Sequence, residues 1–187
     1  LEEDHPEYRD DNSPTLRVGG AVIKRFDTVV HNHRMYSLDN SYSKEDLEDW
    51  ELRIKKVIDG PISFMCELKY DGASISISYE NGRLIKAVTR GDGLQGDDVT
   101  NNIKTIKTVP LILQGNYPLK FDIRGEIILP KKGFEAMNKI KVSLGEEPYS
   151  NPRNTASGSL KLQDSSEVAK RPLECLLYSI VGADHQM

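Results

Sequence analysis

An alternation of apolar and polar residues over 62–68 predicts a half-buried β-strand. The same period sends Glu67, Lys69 and Asp71 to the polar face, each roughly 6–7 Å from the next along the strand. Gly72 then allows the chain to turn. The pattern therefore predicts a lysine that stands between two carboxylates on rigid sheet.

Further strand patterns follow this stretch, at residues 75–79, 84–89, 121–129 and 173–181. The first two flank Asn81-Gly82, a dipeptide that favours the type I′ turn of a β-hairpin. In the third, Asp122, Arg124 and Glu126 fall together on the polar face. The fourth is strongly apolar, and the chain ends six residues after it, which we interpret as the middle of a domain.

Helical patterns separate the strands. Ser43 with Asp46 three residues later is a capping signal, and apolar residues then repeat at helical spacing over 44–58. We expect this helix to pack on the sheet with Trp50 in the core. A short helix is predicted to begin at Asp98, and Pro130 suits the first turn of another helix.

The composition is that of a globular protein, with 29% charged and 37% hydrophobic residues. Its 187 residues suffice for one domain, or for one domain and a fragment. No apolar run approaches the ~20 residues of a membrane helix, and no secretory pattern opens the chain, so we expect a cytoplasmic protein. Cys66 and Cys175 are interpreted as buried, reduced thiols, and the histidines lack a zinc spacing.

The net charge of −4 does not exclude a nucleic-acid partner. Residues 1–13 carry six acids and one base, which leaves the rest of the chain at +1. A nearly neutral domain can bind a phosphate backbone if its basic side chains lie on one face.

The candidate chemistry centres on Lys69. One reading is a lysine in a surface ladder of salt bridges; the other is a nucleophile. An amine attacks only when it is neutral, and an ordinary lysine is protonated at pH 7. Burial and neighbouring cations favour the neutral amine, whereas flanking carboxylates oppose it, so the residues alone leave both readings open.

Two other polar stretches are weaker signals. The glycine-rich residues 89–98 allow a ligand to approach the backbone closely, with Arg90 available for a phosphate or a ribose hydroxyl. Residues 151–161 are small, polar and basic, and are predicted as a loop in which Arg153 meets phosphates. Either stretch could equally be an ordinary surface loop.

Together these motifs resemble the adenylation domain of bacterial NAD-dependent DNA ligases over nearly the whole chain. The Lys-x-Asp-Gly motif alone indicates only the nucleotidyltransferase superfamily, whereas the other segments single out the NAD-using branch. The matching segments are Ser13-Pro14-Thr15-x-Arg17-Val18-Gly19-Gly20, Ser37-Leu38-Asp39-Asn40, Glu67-x-Lys69-x-Asp71-Gly72, Thr89-Arg90-Gly91-Asp92-Gly93, Arg124-Gly125-Glu126, Asn151-Pro152-Arg153-Asn154 and Gly158-Ser159-Leu160.

The resemblance implies an α+β nucleotidyltransferase fold, with antiparallel sheets and flanking helices, that is truncated at its C-terminal end. It implies that residues 1–13 are the tail of an upstream lid domain and that 14–187 are an incomplete adenylation domain. Lys69 would take AMP from NAD, release nicotinamide mononucleotide and pass AMP to the 5′-phosphate of a DNA nick before sealing. Magnesium would assist, and zinc is expected only in a downstream domain.

The resemblance also implies roles for the remaining site residues. Ser37, Leu38 and Glu67 would line the adenine site, Glu67 through the adenine amino group. Arg90 and Glu126 would hold the ribose side, while Arg153 and Lys161 would contact DNA phosphates. We expect nicked double-stranded DNA and NAD as partners, with no membrane and no obligate protein partner.

Some residues depart from the family pattern. Arg34 replaces the usual proline, Asp97 the usual glutamate and Lys161 the usual arginine. Lysine keeps the charge of arginine but loses its bidentate geometry. Two later active-site lysines and most of the nicotinamide-binding lid have no counterpart here, so we expect the fragment to be inactive or very weak alone. An ATP-dependent relative and a non-catalytic nucleic-acid-binding module are the alternative interpretations.

Overall fold

The computed structural model describes residues 5–8, 10, 13, 17–18 and 25–183. Residues 36–69 form one compact unit, and the described residues before and after them form a larger one. Most of the Ser-Pro-Thr segment and of the expected upstream tail therefore lies outside the described residues. The longest described helix has 13 residues, and no described helix has the length and apolarity needed to cross a bilayer.

Strands and helices are interspersed along the described part of the chain. The strands are β1 (Thr28–Val30), β2 (Ala73–Glu80), β3 (Arg83–Thr89), β4 (Gln95–Asp97), β5 (Lys120–Ile128) and β6 (Glu174–Val181). The helices are α1 (Lys44–Lys55), α2 (Thr100–Lys104), α3 (Lys131–Ser143), α4 (Pro152–Leu160) and α5 (Ser165–Ala169), with a 3₁₀ turn at Pro6–Tyr8.

The larger unit is built on an antiparallel four-stranded sheet in the order β3-β2-β5-β6, while β1 and β4 form a small antiparallel pair. The predicted hairpin of β2 and β3 is confirmed. Asn81 and Gly82 have φ angles of 49° and 74°, the positive values that a type I′ turn requires. The expected α+β architecture with antiparallel sheets is therefore present.

One face of this sheet is covered by the core. Ile75, Ile77 and Tyr79 of β2 are buried there, together with Ile127 of β5. Residues of α2, α4 and α5 belong to the same cluster of buried side chains. The opposite face is polar: the register sets Ser74, Ser76 and Ser78 beside Glu126, Arg124 and Asp122. The predicted polar face of residues 121–129 is thus confirmed.

The predicted strand at 62–68 is wrong. Residues 61–71 have no regular secondary structure, and no described strand pairs with them. Most of the alternating apolar side chains are exposed, Leu68 to 78%. Alternation indicates a strand only where a neighbouring strand takes up the backbone hydrogen bonds, and that condition fails here. Lys69 consequently lies on an exposed irregular segment rather than on sheet.

The smaller unit also departs from expectation. Its helix α1 begins as predicted, with Ser43 Oγ accepting from Asp46 N–H and Asp46 accepting from Ser43 N–H. However, α1 ends at Lys55 and buries none of its residues, so the expected core position of Trp50 is wrong. The indole instead contacts Phe64 in a tilted arrangement, with ring centroids 5.1 Å apart and an interplanar angle of 43°. Cys66 is exposed, whereas the buried position predicted for Cys175 is confirmed.

Candidate functional site

A cavity of about 350 Å³ lies between the beginning of β2, the turn after β3, and α4. Its lining residues are small or polar apart from Leu160, and they include three bases, Arg90, Arg153 and Lys161. Three cations around one cavity raise the local concentration of anionic ligands. The structure thus brings together three site residues that the sequence supplied from separate motifs.

Glu126 holds the beginning of β2 at this cavity. One carboxylate oxygen accepts from the backbone N–H of Gly72 at 3.1 Å, and the other accepts from the Ser74 hydroxyl at 2.8 Å. The register explains both contacts, because Ser74 is the cross-strand partner of Glu126. Hydrogen bonds to a carboxylate are stronger than those between neutral groups. Glu126 therefore fixes the backbone immediately after the Lys-x-Asp-Gly motif.

Gly72 has no space for a side chain. A Cβ atom there would lie 2.2 Å from the carbonyl oxygen of Ile127, well inside contact distance. The glycine of the motif is therefore required by the close approach of β2 to β5. This requirement is steric, and it applies whatever the fragment binds.

Helix α4 carries Arg153 and ends just before Lys161, and its presence corrects the predicted loop at 151–161. Asn151 accepts from Asn154 N–H as the N-cap, and Pro152 occupies the first turn. The buried side of α4 consists mainly of small residues, including Thr155, Ala156 and Ser159. A pattern of large apolar residues at helical spacing does not reveal such a helix, because Leu160 is the one large aliphatic residue among its buried positions.

Both α4 cations are held in ion pairs. Arg153 Nη1 donates to Asp71 Oδ1 at 3.0 Å, and Lys161 Nζ lies 2.7 Å from Asp97 Oδ2. Asp97 and Lys161 are two of the positions that depart from the family pattern, and here they contact each other. The four side chains are 33–72% exposed, so solvent screens each pair and its contribution is only ~0–1 kcal/mol. A phosphate could replace either carboxylate at little cost.

The turn after β3 is fixed by Asp92. Its Oδ1 accepts from Leu94 N–H at 2.8 Å and from Gln95 N–H at 2.9 Å. The N–H groups of Gln95 and Leu94 hold the pKa of Asp92 below its ordinary value. Arg90 begins this turn, so its backbone position is set by neighbouring hydrogen bonds. Gly93 N–H also donates to the carbonyl of Arg90 at 2.9 Å.

Tyr178 is a neighbour of these residues that sequence reasoning missed. It lies on β6 where the pairing with β5 shifts register, and its ring is exposed. Partial burial and the negative charge of Glu126 raise the pKa of Tyr178, whereas Arg124 and Arg90 oppose that rise. The phenol therefore lies within the electrostatic reach of all three charges. The signal in the sequence is the break in the alternation of apolar and polar residues around Tyr178.

The other predicted site residues belong to the smaller unit. Glu67 and Lys69 are exposed on the irregular segment. Ser37 and Leu38 line an open cavity of about 1030 Å³ beside the first turns of α1, together with Asn40. The structure thus divides the predicted site into two groups, each described within its own unit.

Magnesium finds no dedicated protein cage among the described side chains, where no group of three or more histidine, cysteine or acidic residues converges. Mg²⁺ commonly keeps several waters and binds one or two carboxylates together with substrate phosphates. The available donors thus fit only an ion that arrives with phosphates, and Glu67 and Asp71, each two residues from Lys69, are the carboxylates nearest to it in sequence.

Comparison with known proteins places these motifs in one family. The profile of the NAD-dependent DNA ligase adenylation domain matches residues 23–187. The DNA ligases of Christiangramia forsetii and Flavobacterium psychrophilum are each 72% identical to the chain, and that of Bacteroides fragilis is 53% identical. Each alignment covers 97% of this chain but only 27–28% of the relative, so the chain spans about a quarter of their length. The chain belongs to the family of NAD-dependent DNA ligase adenylation domains.

Proposed function

We propose that this chain is the part of an NAD-dependent DNA ligase in which Lys69 receives AMP from NAD and passes it to the 5′-phosphate of a nick. The observation that carries the proposal is the shared cavity of Gly72, Arg90, Arg153 and Lys161, four residues from three different motifs and one flanking position. The family match supports the same interpretation. We assign the domain to the nucleotidyltransferase fold on the same grounds.

Lys69 precedes Gly72, a residue that lines the cavity, by three positions in the sequence. In the proposed step, the neutral amine of Lys69 attacks the adenylyl phosphorus. A phosphorus–nitrogen bond forms, the bond to nicotinamide mononucleotide breaks, and the lysine proton is released. Nearby cations such as Arg90 would stabilise charge on the phosphoryl oxygens.

The adenosine half has two sets of proposed contacts. Ser37, Leu38 and Glu67 would recognise adenine, and Arg90 with Glu126 would bind the ribose. Each oxygen of Glu126 already accepts one hydrogen bond from the protein and keeps a second lone pair. Glu126 could therefore accept from a ribose hydroxyl without releasing Gly72 or Ser74.

DNA would bind along α4. Arg153 stands at the beginning of the helix and Lys161 follows its last residue, eight positions later. At a rise of 1.5 Å per residue, the two are separated by ~12 Å along the helix axis, a span that suits phosphates on one strand. Phosphates would displace Asp71 and Asp97 from their ion pairs. Magnesium would neutralise phosphate charge.

A ligase that seals nicks in chromosomal DNA works where the bacterial chromosome lies, which favours a cytoplasmic location.

The test of this proposal is intact-mass analysis of a full-length ligase that carries this domain, incubated with NAD and magnesium. We expect one AMP mass increment in the wild type and none in Lys69→Ala or Lys69→Arg. The arginine variant keeps the charge but lacks a nucleophile, so it separates nucleophilic from electrostatic roles. Lys132→Ala changes an exposed lysine on α3 and is the matched control.

The alternative interpretations predict other results. Adenylation from ATP rather than NAD would indicate an ATP-dependent relative. DNA binding without any mass increment would indicate a non-catalytic module. A retained increment in Lys69→Ala would contradict the assignment of the nucleophile.

The DNA role of Arg153 has a separate measurement. Arg153→Ala should weaken binding to nicked DNA whatever the DNA sequence, and it should lower the slope of log binding constant against log salt concentration by about one unit. Adenylation of Lys69 should not change. An equal loss in both steps would mean that Arg153 supports nucleotide binding instead.

A further inference from the structure

A short segment connects the turn of Arg90 with the polar face of the sheet. We call residues 31–35 the strap and residues 90–94 the Arg90 turn. His31 N–H donates to Leu94 C=O and Met35 N–H donates to Gly93 C=O, both at 2.9 Å. The strap therefore binds the Arg90 turn through its backbone at both ends.

The imidazole of His31 makes a third contact with this turn. Its Nε2 lies 3.1 Å from the carbonyl oxygen of Arg90. A carbonyl can only accept, so Nε2 carries the proton in this hydrogen bond. The contact acts on the residue whose side chain lines the cavity.

Arg124 fastens the strap to the sheet. Its Nη2 donates to the carbonyl oxygens of His33 at 3.1 Å and Arg34 at 2.7 Å. Arg124 lies on the polar face of β5, two residues before Glu126. The guanidinium thus joins the strand that holds Glu126 to the segment that holds the Arg90 turn.

This arrangement is not optimal for stability. Arg124 Nε is buried and has no hydrogen-bond partner among the described residues. An unsatisfied buried donor costs ~1–3 kcal/mol, and such exceptions call for a functional or hydration explanation.

We infer that Arg124 is a positioning residue for the nucleotide site, acting through the strap on Arg90. This inference rests on the proposed function, in which Arg90 contacts the ribose side of NAD. Without Arg124 the strap keeps, of its described hydrogen bonds to β5, the long contact of Asn32 Nδ2 with Asp122 Oδ2, at 3.4 Å. The backbone N–H of Arg90 still donates to the carbonyl of Ser74 at 3.2 Å, so the loss falls on the carbonyl side of the Arg90 turn, which the strap contacts. The inferred consequence is a looser Arg90 turn and a less fixed Arg90 side chain beside Glu126.

The test is a double-mutant cycle in a full-length ligase that carries this domain, measured as kcat/KM for NAD in lysine adenylation. We expect Arg124→Ala to lower kcat/KM by ~10-fold or more in the wild-type background. In an Arg90→Ala background the same change should lower it by less than about two-fold, because its effect passes through Arg90. Arg124→Lys should recover part of the loss, since an ammonium can reach one of the two carbonyls. Nick binding should not change.

An arginine elsewhere provides a matched control. Arg17 also donates to backbone carbonyls, those of Lys104, Ile106 and Val109, at 3.0–3.2 Å. Arg17→Ala should lower the thermal midpoint and leave kcat/KM for NAD within about two-fold. If Arg17→Ala reproduces the Arg124→Ala loss, the effect is general destabilisation and the positioning role is overturned.

Other outcomes are equally decisive. An equal Arg124→Ala effect in both backgrounds, or no effect in either, overturns the inference. If Arg124→Ala does not fold, Arg124→Lys and His31→Phe take its place, and each must lower kcat/KM non-additively with Arg90→Ala. A wild-type enzyme that gains no AMP mass overturns the proposed function itself, and the positioning role with it.

Discussion

Replacing Gly72 by alanine should destabilise the larger unit severely. The new Cβ would lie 2.2 Å from the Ile127 carbonyl oxygen and 2.9 Å from its carbon. Carbon–oxygen contacts normally begin at ~3.3 Å, so β2 must move by about 1 Å from β5. Overpacking of this kind costs ~1–3 kcal/mol, and the displaced hydrogen bond from Gly72 N–H to Glu126 adds ~0.5–1.5 kcal/mol.

Thermal unfolding followed by circular dichroism measures this effect. A total of about 2–4 kcal/mol, at ~2–4 °C per kcal/mol for a domain of this size, lowers the midpoint by ~4–16 °C. Gly158→Ala is the matched control, because it lies within α4 and its Cβ would meet nothing within 4 Å. That variant should gain ~0.5–1 kcal/mol. An unchanged midpoint for Gly72→Ala, or a lowered one for Gly158→Ala, would refute the steric reasoning.

Three further predictions concern groups outside this contact. Iodoacetamide should label the exposed Cys66 readily and Cys175 only on unfolding; equal labelling rates by mass spectrometry would contradict the burial of Cys175. Burial raises the pKa of Cys175 to about 12, so the native state retains that proton longer than the unfolded chain does. The contribution of this thiol to the free energy of unfolding is therefore complete below the unfolded pKa of ~8.5, and above that pH it falls by up to ~1.4 kcal/mol per pH unit. Cys175→Val should reduce this slope in alkaline denaturation. Asn151→Ala should cost ~1 kcal/mol through loss of the α4 cap, whereas Asn151→Asp should keep the stability, as urea unfolding would show.

The parts of the fold with strong local signals were predictable from sequence. Asn81-Gly82 specified its turn because few residues other than these adopt positive φ. The alternation around Glu126 specified the polar face of β5, since one slip of register would bury its charge. Arg90 and the basic stretch 151–161 were candidates from the residues themselves, and the ribose and DNA roles of Arg90, Arg153 and Lys161, which came from the family resemblance, stay predictions.

The remainder depended on tertiary contacts that periodicity does not encode. The segment 62–68 has a strand pattern but no described partner strand. Helix α4 buries hydroxyl and methyl groups, so its pattern is not apolar. The role of Arg124 arises from hydrogen bonds to residues some 90 positions earlier, and no local signal marks such a pair.

The last prediction is that the 187-residue chain alone adenylates Lys69 slowly. Its reason lies in the segment that carries the nucleophile, which is exposed and has no regular hydrogen bonding. A nucleophile displaced by only 1 Å can lose ~10²-fold in rate, and an irregular exposed segment does not hold it more closely than that. The cavity with Arg90 and the Glu126 contacts are formed within the larger unit, so weak nucleotide binding should persist. Incubation with NAD and magnesium, followed over time by intact mass, should show a small AMP fraction. Full AMP occupancy at the rate of a full-length ligase would demonstrate that Lys69 is adequately positioned by these residues alone, contrary to this reasoning.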